Sequence, residues 1–200
     1  MTSFLPSERR SPHNHSPRPG GRYAVVIPVY NHAGAVAGVA RAARDLGFPV
    51  IVVDDGSTDD SADRVAGLRR VRLLQHGANL GKGAALLTGF RAAAGLADWA
   101  ITLDADGQHD PKDAWRLMAA VPAGARAIVV GRREGMAATP APWTSRFGRG
   151  FSNFWVRAAG GPAVADTQSG FRLYPLPETL DLRVRARRYQ FEVEVLVKAA

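Results

Sequence analysis

The run YAVVIPV at 23–29 opens the patterned part of the chain. It is short, rich in β-branched residues and apolar at consecutive positions, which predicts a strand buried on both faces. Residues 35–46 are alanine-rich, with apolar positions at helical spacing, and Gly47 and Pro49 end the segment. The same alternation continues. Apolar runs predict strands at 50–53, 71–75, 99–103, 127–130 and 170–174. Helical spacing predicts helices after 58, at 81–94, from 110 to about 120, at 145–159 and from 189 onward. Ser57 or Thr58 is placed to cap the second helix, and Asp110-Pro111 supplies a cap and a proline at a first helical position. Residues 131–143 read as a loop, and 1–21, rich in Ser, Pro, His and Arg, as a disordered basic tail.

Strands alternating with helices predict an α/β fold with a mainly parallel central sheet and helices on both faces, formed by one domain over 22–200. In such sheets ligands bind beyond the C-terminal ends of the strands. The polar residues gather in those places: Tyr30-Asn31, Asp54-Asp55, Asp104 to Asp106 and Arg132-Arg133.

Composition narrows the picture only a little. At 46% apolar and 22% charged, the chain is ordinary for a soluble domain, and no apolar stretch is long enough to span a bilayer. The absence of cysteine excludes disulfides and zinc–thiolate sites. The formal charge of +8 favours anionic partners, and the basic residues concentrate between Arg126 and Arg188. No nucleic-acid recognition motif accompanies them, which disfavours nucleic acid as the partner.

Three constellations carry chemistry. Asp104-Ala105-Asp106-Gly107-Gln108 follows a strand and presents two carboxylates to one divalent cation; Mg²⁺ or Mn²⁺ takes few protein oxygens and completes its shell with water and phosphate. Asp54 and Asp55 end a strand and are placed to accept hydrogen bonds from a base or ribose, or to form a capped turn. Asn79-Leu80-Gly81-Lys82-Gly83 opens a helix, a position that favours anions. It is not a P-loop, because Gly83 stands where Ser or Thr is required.

VIPVYN (26–31), VDDGSTD (53–59), NLGKGAAL (79–86), LDADGQHDP (103–111), VVGRR (129–133) and DTQSGFRLYP (166–175) occur in one order. Together they resemble family 2 glycosyltransferases of the GT-A fold, nearest to the branch that transfers sugars to polyprenyl or dolichyl phosphate. The resemblance implies an inverting transfer from a UDP- or GDP-linked sugar, most readily to a lipid phosphate. It implies that Pro28, Tyr30, Asn31, Asp54, Asp55, Lys82 and Asp104 contact the nucleotide, and that Asp104, Asp106 and Gln108 hold Mg²⁺ or Mn²⁺. It places Arg133 and Arg149 on phosphates and Ser169 and Arg172 beside the acceptor, and makes Asp166 or Glu194 the base if the acceptor is a hydroxyl. It also implies a cytoplasmic protein, peripheral on the membrane's cytoplasmic face. Two departures bear on the acceptor and on completeness. Asp166-Thr167-Gln168-Ser169-Gly170 replaces the family's D-P-T-S-G, and the chain stops inside a helix, as a fragment would. Three other readings compete: transfer to a sugar hydroxyl in envelope glycan synthesis, a non-catalytic nucleotide-sugar binder, and a sugar-1-phosphate nucleotidyltransferase. The last is disfavoured because Pro28 to Asn31 lacks a glycine-rich basic loop.

Overall fold

A computed structural model describes residues 21–131, 169–188 and 190–200. The expected tail at 1–20, the 145–159 helix and the residues Arg132, Arg133, Arg149 and Asp166 lie outside the described residues.

Six strands form one sheet. They are β1 (Tyr23–Val29), β2 (Val50–Asp54), β3 (Val71–Gln75), β4 (Trp99–Thr102), β5 (Val129–Val130) and β6 (Arg172–Pro175), in the order β3-β2-β1-β4-β6-β5. Helices α1 (Val36–Arg44), α2 (Ser61–Ala66), α3 (Lys82–Ala94) and α4 (Ala114–Ala119) alternate with the first five strands, and α5 (Glu178–Asp181) and α6 (Phe191–Ala199) follow β6. β1 pairs in parallel with β2 and β4, and β2 pairs in parallel with β3. β6 enters between β4 and β5 and runs antiparallel to both. The sheet is therefore mainly parallel, as its alternating pattern predicts, with one reversed strand that the pattern does not signal. β5 is shorter than the 127–130 expected.

β1 shows why a continuous apolar run was needed. Tyr23, Val25, Ile27 and Val29 point into a core shared with α1, α2 and α4. Ala24 and Val26 point the other way, into a core shared with α3 and α6. Both faces are covered, so every position of the strand is buried. Gly89 lets α3 lie close on the sheet: a Cβ there would overlap Val26 Cγ1 and press on Val53 Cγ2 at 3.3 Å. That close approach explains a glycine at a helix interior, where it costs about 1 kcal/mol of propensity against alanine.

Two local expectations change. α2 begins at Ser61 with Asp60 at its N-cap, and neither Ser57 nor Thr58 caps it, because both are used by the neighbouring loop. The helix after Asp110 opens as a 3₁₀ turn, Pro111–Asp113, with the Asp110 carboxylate accepting from Lys112 N–H at 2.9 Å.

Candidate active site

The C-terminal ends of β1, β2 and β4, the head of α3 and the segment before α6 converge on one cavity of about 460 Å³. Its polar lining includes Tyr30, Asp55, Lys82, Asp104, Asp106 and Arg188. Parallel strands bring three carboxylates to one edge because each strand ends there and its connection leaves on the same side.

The floor is an ion triad. Lys82 Nζ lies 2.7 Å from Asp104 Oδ1 and 2.7 Å from Glu192 Oε1. Burial works against the Lys82 charge, but Glu192 and then Asp104 outweigh it and hold the ammonium above its ordinary value. Asp104 also leans on Gly170, where any Cβ would overlap its carboxylate. The Ser169-Gly170 turn thus sets where this carboxylate sits. Asp106 is less committed: its Oδ1 accepts from Gln108 N–H at 2.9 Å, and among the described residues no other group reaches it. Gln108 is exposed and outside the cavity lining.

Asp55 is buried and occupied. It accepts from Leu80 N–H at 3.0 Å and Gly81 N–H at 2.8 Å, and His76 Nδ1 lies 2.7 Å away. A carboxylate only accepts, so His76 donates from Nδ1 here, and its Nε2 lies 3.0 Å from Thr88 Oγ1. The anion at the head of α3 is therefore the chain's own Asp55. Gly81, at φ 99°, allows this turn while Arg187 O presses against the position a Cβ would take.

The β1 and β2 loops are stitched together. Asn31 N–H donates to Ser57 Oγ at 3.0 Å, and Asn31 Oδ1 accepts from Thr58 N–H at 2.8 Å. His32 N–H donates to Ser61 Oγ at 2.8 Å, and Ala33 N–H to Asp59 Oδ2 at 3.0 Å. Asn31 sits at φ 55°, which asparagine tolerates better than most residues. Asp54 accepts from Ser57 N–H at 3.2 Å. Pro28, Tyr30, Asp55, Lys82, Asp104 and Asp106 line the cavity; Asn31 and Asp54 shape its wall from outside the lining.

Two anticipated residues serve the fold. Arg172 is fully buried; its Nε donates to Ser169 O at 2.7 Å and its Nη1 to Glu192 O at 3.0 Å, so it braces the segment 169–172 against α6 and does not line the cavity. Arg126, counted with the phosphate-facing arginines, lies by the opposite strand ends, paired with Glu178 at 2.7 Å and stacked over Trp99 at 4.4 Å.

Glu194 also turns inward. It accepts from Arg185 and Ala186 N–H at 3.1 and 2.7 Å and pairs with Lys198 at 2.8 Å. The Lys198 hydrogen bond, aided by those two N–H groups, holds its carboxyl at about 2, against an ordinary 4.5. A depressed folded value contributes stability that is present above pH 4.5 and is lost as pH falls toward about 2. Glu194→Gln is expected to melt a few degrees below wild type near neutral pH, with the gap closing across that acid window in thermal scans. A constant gap would show that the charge is not what matters.

Sequence reasoning missed Glu192 and His76. Glu192 stands two residues from Glu194 in FEVEVL, and the motif pointed to the latter; only the face of α6 decides between them.

The profile of glycosyl transferase family 2 matches residues 24–175. The chain belongs to that family. It is 30% identical over 197 residues to UDP-N-acetylglucosamine–dolichyl-phosphate N-acetylglucosaminyltransferase of Methanococcus voltae, covering 88% of this chain and 78% of that one. It is 31% identical over 220 residues to polyprenol monophosphomannose synthase of Mycolicibacterium smegmatis, covering 98% and 79%. Glucosyl-3-phosphoglycerate synthase from Mycobacterium tuberculosis, solved with UDP, superposes with a TM-score of 0.69 at 22% identity, over 88% of this chain. That likeness shows the GT-A fold, and the chain spans 64% of that structure's length. The same mycobacterial protein has been crystallised with Mn²⁺ and UDP-glucose. Family membership makes the chain a glycosyltransferase.

Proposed function

We propose that the chain transfers a sugar from a UDP- or GDP-linked donor to a polyprenyl phosphate at a membrane surface, by single displacement with inversion. The observation that carries this reading is the convergence of Asp104, Asp106 and the head of α3 on one cavity. The names of the curated relatives, which act on dolichyl phosphate or make polyprenol monophosphomannose, support the acceptor class.

The donor atoms suit a hard divalent cation. Asp106 faces the cavity with one oxygen uncommitted, and Asp104 contributes a second carboxylate. Among the described residues no cluster of three or more His, Cys, Asp or Glu forms a protein cage. That is the arrangement Mg²⁺ and Mn²⁺ use when waters and substrate phosphates complete the shell. Bound there, the cation would offset the charge of the diphosphate leaving group. Asp106 would hold it, with Asp104 and Gln108 assisting. Lys82 fixes Asp104 and adds positive charge at the floor. Tyr30 and Pro28 form the nucleotide-side wall, and Asp55 holds the α3 turn that shapes it. Arg133 and Arg149 are assigned to phosphates by the family motifs alone, as is Asp166 to the acceptor side.

The phosphate acceptor is preferred over a hydroxyl on a specific observation. A hydroxyl needs a base to take its proton, whereas a phosphate is already an anion. Glu194 is bound to two N–H groups and Lys198, and Glu192 to Lys82, so neither acid on α6 is poised as that base; Asp166, the other candidate, lies outside the described residues. The test is transfer of labelled sugar from UDP-, GDP- and dTDP-linked donors to a short-chain polyprenyl phosphate and to the matching polyprenol. Expected is Mn²⁺- or Mg²⁺-dependent product with one donor on the phosphate only. Product on the alcohol alone would overturn the acceptor assignment, and donor binding without transfer to either would favour the non-catalytic reading.

A further inference from the structure

Between α5 and α6 the chain runs as an irregular strap over 183–188, starting from Arg183 at φ 48°. Val184 is buried and Ala186 half-buried, while Arg183, Arg185, Arg187 and Arg188 are exposed. The strap's backbone is held at Arg183, Arg185, Ala186 and Arg187. Lys198 donates to Arg183 O at 3.0 Å, Glu194 accepts from Arg185 and Ala186 N–H, and Ala84 N–H donates to Arg187 O at 3.0 Å.

These four guanidinium groups meet no carboxylate among the described residues. The acids of the surrounding stretch are taken elsewhere: Glu178 by Arg126, Glu192 by Lys82 and Glu194 by Lys198, which leaves Asp181. Among the described residues the strap is therefore a row of uncompensated positive charge. It also stands at the cavity mouth. Arg188 lines the cavity, and the Arg188 side chain and Arg187 carbonyl pack against Gly81. Beside Gly81, Leu80 is a large apolar side chain that is 44% exposed.

We infer that this strap, with Leu80 beside it, is a docking surface for an anionic lipid bilayer. The inference rests on the proposed lipid-phosphate acceptor, which presents its phosphate at such a surface. Arginines attract the acidic headgroups, and the apolar Leu80 side chain enters the headgroup boundary. The cavity mouth is thereby turned toward the membrane. An apolar side chain beside the charges fits a bilayer better than RNA, whose backbone offers phosphates without an apolar layer.

The experiment is co-sedimentation of the whole chain with vesicles of equal parts phosphatidylglycerol and phosphatidylcholine, and with phosphatidylcholine alone. Wild type is compared with Arg183→Gln/Arg185→Gln/Arg187→Gln, which leaves Arg188 in the cavity untouched. Each basic residue near an anionic surface is worth about fivefold in partitioning, so the triple variant is expected to bind the acidic vesicles roughly a hundredfold more weakly. Added salt should weaken wild type more than the variant. Melting temperature and UDP binding should match wild type, which separates lost docking from lost folding. Equal binding of both proteins to acidic vesicles, equal binding of wild type to neutral ones, or tighter arginine-dependent binding to an RNA homopolymer at the same salt would overturn the surface. A short-chain soluble polyprenyl phosphate distinguishes the two proposals. If the acceptor is wrong, neither protein glycosylates it even though vesicle binding persists. If only the surface is wrong, both glycosylate soluble and vesicle-borne acceptor equally.

Discussion

Asp106→Ala is expected to remove the metal-dependent part of nucleotide-sugar binding. Asp106 brings the least committed carboxylate oxygen to the cavity, with one hydrogen bond from Gln108 N–H. Losing an outer-shell partner of a metal ligand commonly costs about 10–100-fold in metal affinity or activity, and losing the ligand itself should cost more. Titration calorimetry of the preferred donor, with and without Mn²⁺, reads this directly. Wild type should bind more tightly with the ion, and the variant should bind with the same weak affinity in both conditions. Asp106 is half-exposed and outside both cores, so its melting temperature should hardly move. A variant that keeps full Mn²⁺ dependence would remove Asp106 from the ion site and with it the main support for the mechanism.

Lys82→Met is expected to be the most destabilising change at the site. The ammonium is shared by Asp104 and Glu192 at 2.7 Å each, and its removal leaves two carboxylates facing each other with no cation between them. Lys82 and Asp104 are partly buried and Glu192 is buried, so the cost is expected to fall below the roughly 3–5 kcal/mol of a fully buried pair. Glu192→Gln in the same background relieves the repulsion, so the double variant should recover part of the loss. Urea unfolding of the four proteins in a cycle measures that coupling, expected at about 1–3 kcal/mol. Strict additivity would show that Glu192 and Lys82 act independently, against the geometry. The cycle also bears on activity: with Asp104 no longer fixed by Lys82, donor affinity should fall along with stability.

Much of the architecture was legible because local patterns encode local structure. YAVVIPV needs burial on both sides, and the structure supplies two cores around it. Gly47 and Asp110-Pro111 mark element ends by their own backbone preferences. The antiparallel entry of β6 was not legible. Direction depends on how the preceding chain returns, and residues 172–175 read alike either way round.

The site divides along the same line. The sequence by itself determined the strands and most of the helices among the described residues, the family to which the chain belongs, and the loops after β1, β2 and β4 that meet at one end of the sheet. It did so because apolar period, turn residues and motif order are properties of the chain in one dimension. Only the tertiary structure decided which charged residues face the cavity. Arg172 and Arg126 look like phosphate ligands in a list, yet one is buried on carbonyls and the other lies at the far end of the sheet. Glu192 and Glu194 differ by two positions, but about 200° around a helix separates the residue that holds Lys82 from the one that holds the strap. A side chain's charge is fixed by its identity. Its partner, and therefore its role, is fixed by what the fold brings within about 3 Å of it.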